Sequence, residues 1–397
     1  MNILLVSMMV PDAPSGVRVH YQRLAAGLRQ QGHTVTVLTP GSVPLWQSRC
    51  WGTLRRVLDL GGPLGRHLGG ELHSCANIYS ALNRREAYDV VNAQDATTGW
   101  LMRQLLGPGV PVVVTGHFNE HPGLEVVRQL NMQGWAARMV INWHNFFLAR
   151  TEHFISISNY LRHRVAPLLP SYAQHQVVRN GLDLAKFGTV AADVDLQARA
   201  GGRYVLLNIG YLEKRKNQAF LVAVAAELRA LRTDFVVGLV GQGPDEELLR
   251  ARIAAANLQD YVWLLGHCTA IAPLLRASTL YVHTAIQESF GLVLLEAMAC
   301  AVPVLALGVG AVPEVLGYDA EALFEQDATP AAVAQRLHQL LEDPVARGRL
   351  QQHQQAHAVQ FDLSAMLAGT VAVYEGARRA VAAISMSATQ TVPASAL

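Results

Sequence analysis

Short apolar runs alternate with helical stretches twice along this chain, and that double alternation does most to limit how it can fold. In the first half the runs are Ile3 to Ser7, Thr34 to Leu38, Val90 to Asn92, Val112 to Thr115 and Phe154 to Ser156, with a helical stretch from about Val17 to Gln31 after the first. Strands this short, separated by helices, read as a parallel, doubly wound sheet. The pattern restarts at Tyr204 to Gly210 and continues through Phe235 to Gly241, Val262 to Gly266, Leu280 to His283 and Val304 to Leu307. A chain of 397 residues exceeds most single cores. It is therefore predicted to form two α/β domains in tandem, with function in a cleft between them.

The boundaries follow from composition. The first domain is read as 1–187, with an insertion of helices over about 41–88, where the pattern loosens around Trp46, Trp51, Arg55, Arg56, Arg66, Arg84 and Arg85. Residues 188–202 read as a linker and 203–360 as the second domain. A helical pattern covers 361–384, and 385–397, rich in Ser, Thr and Ala, reads as a disordered tail. Charged residues make up 16% and the formal net charge is +2, which points away from wholesale disorder and from nucleic-acid binding. Cys50, Cys75, Cys268 and Cys300 lack metal-type spacing, so reduced thiols in a cytoplasmic protein are expected. The start, Asn2 to Ser7, lacks a basic leader and reads as a first strand. No apolar run is long enough to span a membrane.

The segment Glu288-Ser-Phe-Gly-Leu-Val-Leu-Leu-Glu296 carries the most chemistry. It lies between two predicted strands, so it is the crossover of a βαβ unit, and its loop sits at a strand's carboxyl end, where open α/β sheets bind ligands. Free N–H groups from about Phe290 to Val293 can hold a phosphate at the helix start. Glu288 and Glu296 would then accept hydrogen bonds from hydroxyls on either side. Taken alone, the two acids also fit a helix-start acid plus a surface Glu, but Glu296 lies among Leu294, Leu295, Ala297 and Met298, where a buried acid needs a partner.

Four other segments stand at strand ends. Gly210-Tyr-Leu-Glu-Lys-Arg-Lys-Asn217 gathers cations before a helix and reads either as a phosphate site or as a solvated basic turn. Only three lysines occur in the chain, Lys186, Lys214 and Lys216, and two of them stand here. Val240-Gly-Gln-Gly-Pro244, Gly16 and Thr115-Gly-His117 complete the set; glycine at such ends lets backbone approach a ligand. No D-x-D stands at a strand end, Asp193-Val-Asp195 reads as solvated linker, and neither a zinc-spaced cluster nor a Ser-His-Asp arrangement emerges.

Together these motifs resemble the retaining glycosyltransferases of family 4 (glycosyl transferases group 1). The resemblance covers roughly 1–380 and is strongest from Tyr204 to Leu316. It implies the GT-B fold, two facing Rossmann-like domains with an interdomain cleft, and a C-terminal helix crossing back to the first domain. By analogy Glu288 contacts the donor sugar and Glu296 the ribose. Lys216 matches the Lys that grips the diphosphate, while Tyr211 stands where the family has Arg; Lys214 or Arg215 supplies the missing charge, or the site is weakened. Gly241 and Gly243 correspond to the GxGP loop of the nucleotide cleft, and the base-contacting stretch falls near His267. His117 matches a His facing the sugar, Gly16 a phosphate-side glycine, and Gly308-Val-Gly310-Ala-Val-Pro-Glu314 a G-G-x-x-E loop with Ala311 in place of the second Gly.

The implied reaction moves a sugar from a UDP- or GDP-sugar to a glycan or lipid-linked acceptor. Lys216, Arg215 and the backbone of Ser289, Phe290, Gly291, Leu292 and Val293 would hold the phosphates, with no cofactor and no metal. The other readings are a GT-B sugar-nucleotide epimerase and a catalytically silent binding subunit. Six arginines with Trp46 and Trp51 between positions 46 and 85, and Arg138, Trp143, Phe146 and Phe147 further on, suggest either peripheral contact with an anionic membrane or helices that only cover the domain.

Overall fold

The computed structural model describes residues 1–9 and 16–390. The chain divides into two compact units, one of Met1–Asn180 with the chain from Ser364 onward, the other of Gly181–Leu363.

The first unit is built on six parallel strands, β1 (Asn2–Val6), β2 (Thr34–Leu38), β3 (Val90–Ala93), β4 (Val112–Gly116), β5 (His153–Ser156) and β6 (Gln174–Val177), in the order β2-β1-β3-β4-β5-β6. The inner strands are buried on both faces because helices cover both; Ile3, Leu4, Val6, Val90, Val91 and Val113 are fully enclosed. Between β2 and β3 the chain makes two packed helices, Leu45–Asp59 and Gly62–Ala81. The second of these buries Ile78 against Leu4, Val6, Val91 and Met102.

The second unit has another six-stranded parallel sheet, β7 (Tyr204–Ile209), β8 (Phe235–Val240), β9 (Val262–Gly266), β10 (Leu280–His283), β11 (Val304–Leu307) and β12 (Leu323–Phe324), ordered β12-β11-β10-β7-β8-β9. From β7 the chain winds one way through β8 and β9, then crosses and winds the other way through β10, β11 and β12. This is the doubly wound dinucleotide-type order, and its switch point lies between β7 and β10. In the first sheet the order reverses between β1 and β3.

Three readings of the sequence need correction. The stretch 188–202 is not a free linker: it contains the helix Val194–Ala200, whose Leu196 and Ala200 pack with Val205, Val236 and Trp263 of the second unit. Asp193, read as solvated, caps that helix by accepting the Leu196 N–H at 2.8 Å. The compositional tail from Ser385 is helical as far as Gln390, the end of the helix Leu363–Gln390; 391–397 lie outside the described residues. That helix belongs to the first unit, where Leu367 fills the space beside Gly27 and Arg378 pairs with Asp89 at 3.0 Å. Strands β6 and β12 went unread because one is polar, Gln-His-Gln-Val, and the other has two residues.

Candidate active site

At the switch point of the second sheet, the loop leaving β7 carries Lys216 and the loop leaving β10 carries Glu288. Lys216 Nζ donates to Glu288 Oε2 at 2.5 Å, and His283, the last residue of β10, places its Nε2 3.4 Å from the same oxygen. Glu288 is 7% exposed and His283 2%. Burial acts to raise the Glu288 pKa, but the charge of Lys216, with the hydrogen bond and charge of His283 beside it, prevails and holds the carboxyl well below its usual range. The site is thus a carboxylate and an ammonium held together at low dielectric.

Backbone contacts fix the two loops to each other. The Thr284 hydroxyl donates to the Lys216 carbonyl at 3.0 Å, and the Ile286 N–H donates to the Arg215 carbonyl at 2.9 Å. The Arg215 guanidinium pairs with Glu213 at 2.7 Å and reaches the Gln287 carbonyl at 3.4 Å. Tyr211, at the place of the family Arg, is 38% exposed and turns its carbonyl to Gln218 at 3.2 Å. Lys214 is exposed.

The glycines at this end are required by packing. A Cβ on Gly241, whose φ is +144°, would meet the Gly210 carbonyl at 1.9 Å, and one on Gly243 would meet the Leu212 carbonyl at 2.3 Å. The GxGP loop is therefore pressed against the loop that carries Lys216. Gly310, with φ +58°, does the same for Glu288: a Cβ there would lie 2.0 Å from the Glu288 carbonyl, which accepts the Ala311 N–H at 2.9 Å. The positive φ of Gly310 was not readable from the motif.

Gly291, at φ +86°, caps the helix Leu292–Ala299. Ser289 and Phe290 are buried, and Phe290, whose ring packs edge-on to Phe361 at 5.8 Å, has only backbone to offer a ligand. Leu292 and Val293 are half-buried. Glu296 is 6% exposed within the helix. His267 is exposed at the end of β9, an edge strand away from the switch point, so it does not join the Lys216–Glu288 cluster.

His117 and Gly16 lie in the first unit. His117 follows β4, and its Nε2 meets Gln94 Oε1 at 2.8 Å, while Gln94 in turn donates to Asn92 and Asn92 to Thr115 at 2.9 Å. With the Gln94 amide donating to Asn92, its oxygen is the acceptor and His117 carries the proton on Nε2. Burial, with His20 adding, holds His117 well below 6.5, so the ring is neutral; the two rings pack edge-on at 4.7 Å. Gly16 opens the helix Gly16–Gln30, and a Cβ on it would meet no described atom within 4 Å. The sequence reading missed Gln94, Asn92 and His283. Their signal was a polar residue at the carboxyl end of an otherwise apolar strand.

Comparison with known proteins bears on both units. The family described as Glycosyl transferases group 1 matches residues 194–357, and Glycosyltransferase Family 4 matches 14–186. A phosphatidyl-myo-inositol mannosyltransferase of Mycolicibacterium smegmatis is 30% identical over 372 residues, covering 92% of this chain and 91% of that protein. A D-inositol 3-phosphate glycosyltransferase of Salinispora arenicola is 29% identical, covering 79% of this chain and 76% of the relative. Among solved structures, sucrose-phosphate synthase from Thermosynechococcus elongatus superposes with a TM-score of 0.72 at 18% identity, covering 96% of this chain and all of that one. HepE from Anabaena, in complex with UDP and glucose, gives 0.69 at 18% identity, over 95% of this chain and 100% of HepE. The fold is GT-B.

Proposed function

Because the chain belongs to the group 1 glycosyltransferases of family 4, we propose that it moves a sugar from a nucleoside-diphosphate sugar to an acceptor hydroxyl with retention of anomeric configuration. The observation that carries this reading is the buried Lys216–Glu288 pair at the switch point, with a helix N-terminus beside it. As the glycosidic C–O bond breaks, positive charge grows on the sugar ring and negative charge on the diphosphate. A preorganised cation and backbone dipoles stabilise that charge without reorganising. On this reading Lys216, with Arg215 and the N–H groups following Ser289, holds the phosphates, and Glu288 orients sugar hydroxyls. Glu296 takes the ribose, and His117, neutral and hydrogen-bonded to Gln94, is assigned to the sugar. No carboxylate is assigned as a covalent nucleophile, so the acceptor attacks from the face that the diphosphate leaves, and a leaving phosphate oxygen takes its proton.

UDP or GDP is the proposed donor nucleotide, and neither a cofactor nor a metal is assigned to the transfer. A lipid-linked acceptor is favoured, in bacterial surface glycan or glycolipid synthesis at the inner face of the cell membrane. Three observations support it. The mannosyltransferase relative is named for phosphatidyl-myo-inositol. The inserted segment exposes Trp46 at 68% and, between its two helices, Leu60 at 87%, and the later helix Gly134–Leu148 exposes Trp135 at 70%. An apolar cavity of about 320 Å³ opens beside Trp51, Leu58, Leu72, Tyr79 and Leu101. No described helix is long and apolar enough to cross a membrane, so contact would be peripheral. Nuclear magnetic resonance of the product tests the stereochemistry: an inverted anomeric centre would overturn the retaining mechanism. Co-sedimentation with anionic liposomes tests the acceptor side, where absence of binding at low salt would favour a soluble acceptor.

A further inference from the structure

Away from the switch points, the first unit gathers three side chains that no motif connects. On the helix Gly62–Ala81, His67 and Glu71 stand one turn apart and so share a face. His144, on the helix Gly134–Leu148, meets them from the other side, its ring centroid 5.5 Å from that of His67. One ring nitrogen of each histidine and one carboxylate oxygen of Glu71 all lie within 4.8 Å of one another. The Nε2 atoms of both histidines are buried without a hydrogen-bond partner. Two orphaned imidazole nitrogens beside a carboxylate are costly in a protein interior, where nearly every polar atom is paired.

Glu71 is also held as a metal-ligating carboxylate would be. Its Oε2 accepts the Trp143 indole N–H at 2.5 Å and the Thr97 hydroxyl at 3.5 Å, while Oε1 faces His67 Nε2 at 3.9 Å. One oxygen is thus fixed by outer partners and the other is turned toward the histidines, the arrangement that orients a ligand. We infer that His67, Glu71 and His144 form a binding site for a divalent transition cation of the zinc class, clamping the inserted helix Gly62–Ala81 to the helix Gly134–Leu148. Two imidazoles and one carboxylate suit zinc, which accepts three protein ligands and a water at about 2.0–2.2 Å. Tetrahedral bonds of that length place ligand atoms about 3.3 Å apart, so atoms now within 4.8 Å of one another would close by up to about 1.5 Å. The ion would supply a positive counter-charge beside Glu71 and occupy the Nε2 lone pairs of both histidines. The inference does not depend on the assignment of sugar transfer to the second unit.

The test uses the full chain, stripped with chelator, dialysed against Zn²⁺ and assayed for bound metal and melting temperature. One Zn²⁺ per chain and a raised melting temperature are expected. Glu71→Gln and His144→Ala should each weaken binding by more than the roughly 10–100-fold that losing an outer partner costs. Trp143→Phe keeps all three ligands and removes only the indole N–H; a loss of roughly 10–100-fold is expected there, and this variant serves even if a ligand variant misfolds. Co²⁺ in place of Zn²⁺ should give the visible absorption of a site with four or five ligands, absent in Glu71→Gln. Failure of the native chain to retain Zn²⁺, or retention with unchanged affinity in Glu71→Gln and Trp143→Phe, would overturn the site.

Discussion

Lys216 Nζ and Glu288 Oε2 lie 2.5 Å apart although the residues are 72 positions apart in sequence, and both are largely buried. Each compensates the charge of the other, so their effects on stability and on catalysis are separable only in combination. Lys216→Ala should leave Glu288 as a buried, underpaired charge and cost about 3–5 kcal/mol of unfolding free energy. Turnover should fall on the order of 100-fold or more, as when one electrostatic stabiliser is lost. Adding Glu288→Gln to Lys216→Ala should restore most of the stability and none of the turnover. Denaturant unfolding and initial rates on the same samples check this; recovery of both together would remove the pair from the chemistry.

Gly310 supports Glu288 from beneath. Gly310→Ala should force the Glu288 carbonyl away, since its Cβ would sit 2.0 Å from that oxygen at a φ of +58°. The expected cost is on the order of 1–3 kcal/mol, with weakened donor binding. A thermal melt and a nucleotide titration measure it, and a variant with native affinity would show that the Glu288 loop does not depend on this contact.

Acid should destabilise the first unit at a higher pH than it protonates Glu288. Burial pushes His20 down to about 4, and His117 is lowered as well, by burial and then by His20. Both are neutral when folded, so their contribution is complete above about 6.5 and is lost as pH falls from there toward 4. For His20 this amounts to up to about 3 kcal/mol. The depressed carboxyl of Glu288 acts in a lower window, losing its contribution only below about 4.5. Melting temperature recorded from pH 8 to 3 should show a first decline below 6.5 that is reduced in His20→Gln; an unchanged profile in that variant would reject the assignment.

Donor binding should not depend on a divalent cation, because Lys216, Arg215 and the start of the helix Leu292–Ala299 are assigned to the diphosphate. The affinity for UDP or GDP, measured by calorimetry with EDTA and then with Mg²⁺, should be equal within twofold. Tight binding restored only by Mg²⁺ would place a metal at the diphosphate.

Much of this was legible in the sequence because parallel strands buried on both faces leave continuous apolar runs, such as Leu280 to His283 and Val304 to Leu307, bounded by turn residues and helical stretches. The loops at their carboxyl ends then located Lys216 and Glu288. Spacing could not disclose that these two residues pair, since their meeting depends on β7 and β10 becoming neighbours after an intervening excursion through β8 and β9. Gly241 read as a ligand-side glycine and Gly310 only as part of a loop motif; that other backbone also requires both follows from packing that the sequence does not display. The stretch 188–202 looked like a linker because its helix has only about two turns, and only Leu196 and Ala200 reveal that it is packed. His67, Glu71 and His144 were invisible as a group because they lie on two helices far apart in the chain.

The switch-point pair is proposed to serve transfer from a nucleoside-diphosphate sugar. The most direct test of that role is release of nucleoside diphosphate from UDP- and GDP-sugars by the purified chain without acceptor, with Glu288→Gln alongside. Slow hydrolysis of at least one donor is expected, reduced on the order of 100-fold in the variant while nucleotide binding persists. No release from any donor, or equal release by the native chain and Glu288→Gln, would contradict it.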